Sequence, residues 1–94
     1  MLNKTQLAFL RKEAQKLDKP YLLGKGEVDD TFLKSLDAAL TAKELIKVRL
    51  LSSSVLSIKD VAARIATSLG AETVLIIGHT ATFYRPSKKR IYFK

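Results

Sequence analysis

A chain of 94 residues, 47% of them hydrophobic, has room for one small domain with one core, and the lack of cysteine excludes disulfides, thiolate metal sites and a cysteine nucleophile. The formal net charge of +8, from 17 Lys and Arg against 9 Asp and Glu, predicts a polyanionic partner, nucleic acid first, or else a basic surface that serves only solubility. No apolar run approaches the roughly 20 residues that span a bilayer, and the N-terminus has no uninterrupted apolar core, so we expect a cytoplasmic protein without a membrane segment.

The first predicted element is a helix over residues 5–17 that is apolar on one side and cationic on the other. Its apolar side chains recur at three- and four-residue steps, at Leu7, Leu10, Ala14 and Leu17. The opposite side carries Lys4, Arg11, Lys12, Gln15, Lys16 and Lys19. Asn3 or Thr5 is placed to cap the helix. The cationic side is either an ordinary solvated face or part of a binding surface.

Pro20 ends the helical region, and residues 21–24 (YLLG) predict a short buried strand. A second helix is expected over residues 29–40. Its buried face would consist of Phe32, Leu33, Leu36, Ala39 and Leu40. Asp29 stands at the N-cap position, which places Val28 and Leu33 to form a hydrophobic staple.

Between these two elements, residues 22–30 read LLGKGEVDD, a stretch open to two interpretations. Two glycines and a lysine precede a helix N-terminus, where free N–H groups and the helix dipole favour an anion. Gly24, Lys25 and Gly26 are therefore candidates for phosphate contacts. Glu27 and the acids after it repel phosphate, however, and helix capping explains them equally well. A phosphate-binding loop and a helix-capping turn both remain possible.

Residues 44–51 alternate between apolar and charged positions. Ile46, Val48 and Leu50 would point to the core while Lys47 and Arg49 point away, which predicts a strand with one buried face. A polar connection follows.

Residues 57–70 then predict the clearest helix in the chain. Ser57 would cap it and Gly70 would close it. Its core face would consist of Ile58, Val61, Ala62, Ile65 and Leu69.

The last elements are strands over residues 73–78 and 81–85, joined by a tight reversal at Gly78. No acid follows Glu72, so the C-terminal quarter is purely cationic. The predicted order is α-β-α-β-α-β-β in a single α/β (α+β) domain over residues 1–94. Helices between successive strands imply a mixed sheet with at least one parallel pair and an antiparallel final pair.

The residues needed for catalysis are missing. His79 is the sole histidine and falls in the predicted turn, without a second histidine or a cysteine to share a metal. Ser52, Ser53 and Ser54 have no neighbouring base, and the acids are expected to be helix caps or exposed. The GKGE segment lacks the spacing of a Walker-type loop or a dinucleotide fingerprint. We therefore expect no enzyme, no metal, no cofactor and no small-molecule substrate.

Three stretches in order, LLGKGEV, KELIKVRLL and IIGHTATFYRP, resemble the YhbY family of small bacterial RNA-binding proteins, the stand-alone form of the CRM (chloroplast RNA splicing and ribosome maturation) domain. LRKEAQKL is also similar to that family's first helix. The resemblance covers residues 3–86 and leaves a basic tail over residues 87–94. It implies a fold like that of the C-terminal domain of the bacterial translation initiation factor that binds the small subunit.

The resemblance also implies binding of structured RNA and association with precursors of the large ribosomal subunit. The family's GxxG loop is a backbone clamp for phosphate like that of KH domains. Gly24 matches its first glycine, whereas Glu27 stands at the last, with Gly26 one residue early. Gln15 stands where the family often has a histidine.

We therefore expect a monomeric protein that recognises structured, ribosomal RNA by shape and phosphate contacts during large-subunit assembly. The candidate phosphate contacts are Arg11, Lys12, Lys16, Gly24, Lys25, Gly26, Lys47, Arg49, Arg85, Lys88, Lys89 and Arg90. Tyr84, Tyr92 and Phe93 are candidates for stacking on bases, although Tyr84 also fits a core position. The alternatives are an adaptor that docks on ribosomal or acidic proteins, and a non-specific nucleic-acid binder.

Overall fold

A computed structural model describes residues 2–17, 20–23, 29–51 and 57–87. Its helices are α1 (Lys4–Ala14), α2 (Asp30–Lys43) and α3 (Ile58–Leu69). Its strands are β1 (Tyr21–Leu23), β2 (Leu45–Leu50), β3 (Glu72–Ile77) and β4 (Thr80–Tyr84). The predicted order of elements is thereby confirmed.

The four strands form one mixed sheet in the order β1-β2-β4-β3. β1 and β2 run parallel, with Tyr21 opposite Val48, because α2 connects them as a crossover. β2 and β3 both pair antiparallel with β4. The β3–β4 hairpin turns at Gly78, whose φ of 57° is in the left-handed region that glycine adopts without strain. The predicted parallel pair and final antiparallel pair are both confirmed.

Side chains cap all three helices at their N-termini. Asn3 Oδ1 accepts a hydrogen bond from the backbone N–H of Gln6, at 2.8 Å, and the Gln6 side chain accepts one from the Asn3 N–H. Asp29 and Ser57 cap α2 and α3 in the predicted way. Gly70 ends α3 with a left-handed φ of 63°.

The main core lies between one sheet face and the helices α2 and α3. The strands contribute Ile46, Val48, Leu50 and Phe83 to this core, all at most 2% exposed. The predicted core stripes of α2 and α3 pack against them. The buried members of these stripes are Leu36, Ala39, Leu40, Val61, Ala62 and Ile65.

A second, smaller core lies under α1 on the other face of the sheet. Leu10 of α1 packs there with Leu45, Val74 and Tyr84, each at most 4% exposed. The predicted burial of Ile46, Val48 and Leu50 is confirmed and Arg49 is exposed, but the other face of β2 is also covered, at Leu45. The alternation of apolar and charged residues starts at Ile46, so it gave no sign that Leu45 is also buried. Leu45 lies on the same face as Lys47 and is covered by α1.

Two element predictions needed correction. The first helix ends at Ala14, because the N–H groups of Lys16 and Leu17 bond three residues back, at 3.1 Å each, in a tightened last turn. The first strand is only partly buried, since Leu22 is 57% exposed and Leu23 is 5% exposed. The predicted staple contact of Val28 lies outside the described residues.

Candidate nucleic-acid interface

α1 covers only one end of the sheet face on which it packs. Beyond the covered end, Arg49 of β2 is opposite Leu22 of β1 and Thr80 of β4. Thr80 is in turn opposite Ile77 of β3. These four side chains form one row across all four strands, here called the open row (Leu22, Arg49, Thr80 and Ile77). Leu22 is 57% exposed and Ile77 is 61% exposed, so this end of the sheet faces solvent.

A groove of about 180 Å³ lies between the C-terminal end of α1 and this uncovered part of the sheet. Its described lining residues are Ala14, Gln15, Lys47, Leu75, Ile77, Thr80 and Thr82. The lining combines aliphatic side chains with two hydroxyls, an amide and one ammonium group. None of these lining residues carries a carboxylate.

Lys47 is held at the base of the groove. Its ammonium Nζ donates to the backbone oxygen of Leu17, 3.0 Å away, where the chain leaves α1. This bond holds the half-buried Lys47 against the chain that follows α1. An ammonium group has three donors, and within the described ranges Lys47 uses one of them, which leaves two N–H groups for an anion.

The cations of α1 differ in how firmly they are held. Arg11 Nε donates to the backbone oxygen of Val74, 3.1 Å away, which fixes α1 to β3. Lys16 forms an ion pair with Glu13 at 2.8 Å, yet its side chain remains 66% exposed. Lys12 lies on the exposed side of the helix. All three therefore present charge to solvent on the same side of the molecule as the open row.

Arg85 has a different environment from the other predicted contacts. Its Nη1 donates to Asp37 Oδ1 at 2.6 Å and to the Leu69 carbonyl at 2.9 Å. Its Nη2 donates to the Asp37 carbonyl and to Thr41 Oγ1, at 3.0 Å each. A guanidinium has five N–H donors, of which four bond to described residues, and Nε–H has no partner within the described part of the chain. The structure thus gives Arg85 the role of a clamp between the end of β4 and the helices α2 and α3.

Charge is distributed unequally between the two sides of the sheet. Among the described residues, α1, the turn after it and the strand face on which α1 packs carry the cations Lys4, Arg11, Lys12, Lys16, Lys47 and Arg49, against the acids Glu13 and Glu72. On the opposite side, α2 and α3 with their N-caps carry Lys34, Lys43, Lys59 and Arg64, against Asp29, Asp30, Asp37 and Asp60. The side with the open row is therefore the cationic one.

Half of the predicted phosphate contacts lie outside the described residues. These are Gly24, Lys25, Gly26, Lys88, Lys89 and Arg90. The chain enters the glycine stretch from Leu23, one residue after Leu22 of the open row. It leaves that stretch at Asp29, whose Oδ1 accepts the Phe32 N–H at 2.8 Å. The capping role of Asp29 is confirmed, and phosphate contact by the glycine stretch stays a prediction.

Comparison with known proteins identifies the family. The model of the CRS1 / YhbY (CRM) domain matches residues 2–85, nearly the whole chain. The chain belongs to the CRS1 / YhbY (CRM) domain family. This result confirms the resemblance that the three sequence stretches indicated.

Relatives of this CRM domain occur in bacteria and archaea. "Probable RNA-binding protein YqeI" of Bacillus subtilis is 37% identical over 89 residues, which cover 95% of this chain and 93% of that protein. "Probable RNA-binding protein MJ0652" of Methanocaldococcus jannaschii is 32% identical over 80 residues, or 83% of this chain and 59% of that longer protein. The solution structure of protein SAV1595 from Staphylococcus aureus matches with a TM-score of 0.72 and 31% identity, over 100% of this chain and 98% of that one.

One buried residue of this CRM domain was missed in the sequence. Glu44 was expected in the second strand and among exposed or capping acids, but it forms the C-cap of α2 with a φ of 65° and is completely buried. Its backbone oxygen accepts the N–H of Arg85 at 3.0 Å. Its Oε2 accepts the N–H and the hydroxyl of Ser87, at 2.8 and 2.7 Å. Glu44 thus fixes the point from which the basic tail departs.

Tyr84 occupies a core position, being 4% exposed. Burial, and then the negative charges of Glu44 and Glu72, raise the pKa of its hydroxyl above the usual value. The core interpretation of Tyr84 is therefore the one that the structure supports. Tyr92 and Phe93 lie outside the described residues.

His79 is exposed in the β3–β4 turn, as predicted. In the described part of the chain, no group of three or more His, Asp or Glu side chains is arranged to hold a metal ion. None of the helices described is both long and apolar enough to cross a membrane.

Proposed function

We propose that this CRM domain binds structured RNA through phosphate contacts on the side formed by α1 and the open row. The observation that carries the proposal is the unequal distribution of charge, with six cations against two acids on that side among the described residues. Two relatives named as probable RNA-binding proteins, at 37% and 32% identity, support RNA as the polyanion. The chain would act as a binding protein and not as an enzyme.

The finer target that we propose is ribosomal RNA in precursors of the large subunit, bound by a monomer in the cytoplasm. This choice rests on the family resemblance, whereas the charge pattern supports only a polyanion. Phosphate contacts from Lys12, Lys16 and Arg49 would fix orientation on the RNA without reading its sequence. Arg11 and Lys47 would contribute charge from positions already held by one intramolecular hydrogen bond each.

Two triple variants with the same change in net charge test the location of the surface. One replaces Lys12, Lys16 and Arg49 with Ala on the cationic side. The other replaces Lys34, Lys59 and Arg64 with Ala on the side of α2 and α3. Binding of a structured ribosomal RNA fragment is measured as a function of salt, because removing one phosphate contact reduces the slope of log affinity against log salt by about one unit or less.

The first triple variant is expected to bind more weakly and with a shallower salt slope, while the second keeps a slope near that of the parent protein. Equal losses of affinity in both variants would mean that overall charge alone drives binding, as in the non-specific alternative. Binding that does not depend on salt, or an absence of RNA binding, would favour an adaptor for proteins. Crosslinking in cells followed by sequencing of the bound RNA identifies the ribosomal target.

A further inference from the structure

The groove beside the open row differs from a surface that contacts only phosphates. Lys47 supplies positive charge in the groove, and Leu75 and Ile77 supply aliphatic surface. Next to the groove, the open row adds the charge of Arg49 and the aliphatic side chain of Leu22. Phosphate contacts alone do not explain why two large apolar side chains are exposed to solvent here. Leu22 is 57% exposed and Ile77 is 61% exposed. Apolar surface beside cations fits a ligand that has both an anionic and a planar apolar part.

A nucleotide whose base is unstacked is such a ligand. The groove volume of about 180 Å³ is below the roughly 300–1,000 Å³ of pockets for drug-sized ligands and suits one ring system. Aliphatic side chains pack against base faces, and Thr and Gln side chains both donate and accept hydrogen bonds at base edges. Thr80, Gln15 and the largely buried Thr82 line the groove.

We propose that the groove between α1 and the open sheet end binds one unpaired nucleotide of the RNA, with its base against Leu75 and Ile77 and its phosphate near Lys47 and Arg49. This inference rests on the proposed RNA-binding function and adds a requirement for unpaired nucleotides. Single-stranded loops and bulges offer such bases, whereas a continuous duplex keeps them stacked. The domain would therefore prefer a helix with an unpaired loop to a helix alone.

β3 offers a matched pair of variants. Ile76 and Ile77 are neighbours whose side chains lie on opposite faces of the sheet, since Ile76 is opposite Ala81 and Ile77 is opposite Thr80. Both are at least 36% exposed, so neither Ile76→Ala nor Ile77→Ala should unfold the domain. Neither changes the charge. Thr80→Val, which removes a hydroxyl in the groove at nearly constant volume, and Thr73→Val, on the other face, form a second pair.

The test compares two RNA probes, a hairpin with an unpaired loop and a fully paired duplex of the same number of phosphates. The parent protein is expected to prefer the hairpin. Ile77→Ala should reduce affinity for the hairpin about three- to tenfold and leave duplex binding unchanged, because the shorter side chain buries less apolar area against the base. Thr80→Val should act in the same direction. Ile76→Ala and Thr73→Val should bind both probes like the parent.

The possible failures are distinguishable. Equal hairpin affinity for Ile77→Ala and Ile76→Ala, with the parent still binding both probes, overturns the nucleotide groove and leaves RNA binding intact. A parent protein that binds neither probe overturns both proposals. Methyl NMR gives a second readout, in which a short single-stranded oligoribonucleotide shifts the signals of Leu75 and Ile77 but not that of Ile76. Shifts at Ile76 alone would also overturn the proposal.

Discussion

The guanidinium of Arg85 lies 2.6 Å from the carboxylate of Asp37, and the two residues are 48 positions apart in the chain. This contact joins the end of β4 to the middle of α2. The Arg85 side chain is 20% exposed and that of Asp37 is 57% exposed. Solvent therefore screens the ion pair, and most of the stabilisation should come from the bonds of Arg85 to two carbonyls and to Thr41.

Arg85→Ala is expected to lower the free energy of unfolding by about 1–3 kcal/mol. It removes four hydrogen bonds and takes the Arg85 donor away from the carbonyl oxygens of Leu69 and Asp37. Asp37→Asn should cost less, at most about 1 kcal/mol, since a partly exposed ion pair contributes little. Chemical denaturation measures both. RNA affinity of the folded Arg85→Ala protein should stay near that of the parent. A large drop in affinity without a drop in stability would restore Arg85 as a phosphate contact.

The basic tail is tested by replacing Lys88, Lys89 and Arg90 with Ala. If the tail contacts phosphates, affinity for all structured RNAs should fall alike, and the salt slope should become shallower by roughly one unit or less for every phosphate contact removed. Ser87 is retained in this variant, so the anchor on Glu44 stays in place. An unchanged slope would remove the tail from the RNA surface.

The register of α3 is tested by a pair of charge substitutions. Val61 is 2% exposed, so Val61→Asp would bury an unpaired carboxylate in a small domain with little stability in reserve, and should give an unfolded or aggregated product. Lys59 is on the exposed side of the first turn, where a negative charge complements the helix dipole. Lys59→Asp should therefore melt near the parent temperature. Cooperative melting of Val61→Asp would be inconsistent with the α2–α3 core.

The glycine stretch is tested by three substitutions. Glu27→Gly removes a repelling charge and gives the GxxG pattern, so RNA should bind more tightly, most clearly at low salt. Lys25→Ala should weaken binding. Asp29→Ala removes the cap of α2 and should cost about 1 kcal/mol of stability whether or not RNA contacts the stretch. If the first two leave affinity unchanged while Asp29→Ala destabilises, the stretch is only a helix-capping turn.

The raised pKa of Tyr84 predicts that the free energy of unfolding decreases at alkaline pH. Its pKa is raised from the ordinary value of 10.0 in the folded protein, so the neutral hydroxyl is favoured by folding. The resulting stabilisation is fully present below pH 10 and is lost as the pH rises from there through the folded-state pKa. Thermal melting between pH 9 and about pH 12 should show the decline. The melting temperature of Tyr84→Phe should decrease less with rising pH than that of Tyr21→Phe. Tyr21 is the control because it lies on the opposite face of the sheet.

Local sequence patterns predicted most of the fold because each core stripe and cap lies within one element. The stripes of α2 and α3 and the caps Asn3, Asp29 and Ser57 are examples. Contacts between distant parts of the chain were not predictable in this way. Leu45 is buried because α1 packs over it on β2. The four bonds of Arg85 depend on α2 and the end of α3 lying beside the end of β4.

Glu44 shows the same limitation most clearly. A glutamate beside an alternating strand resembles a solvated residue, and nothing local indicates a backbone in the left-handed region or a carboxylate bound to Ser87. The candidate site was predicted as a set of cations with the loop glycines Gly24 and Gly26, without the surroundings of each side chain. The sequence placed Arg85 in the same set as Arg49, although one is engaged in the fold and the other lies in the open row.

The contact between Arg11 and the carbonyl of Val74 also affects how copies of the domain meet one another. Among the described strands, β3 lies at an edge of the sheet, and edge strands with free amide and carbonyl groups can recruit the sheet of a second molecule. The register of β3 shifts between Thr73 and Leu75, which places Val74 in a bulge. Arg11 Nε donates a hydrogen bond to the Val74 carbonyl oxygen, and its guanidinium adds a positive charge at that edge. We therefore expect the same side chain that fixes α1 to hinder edge-to-edge pairing between the sheets of neighbouring molecules.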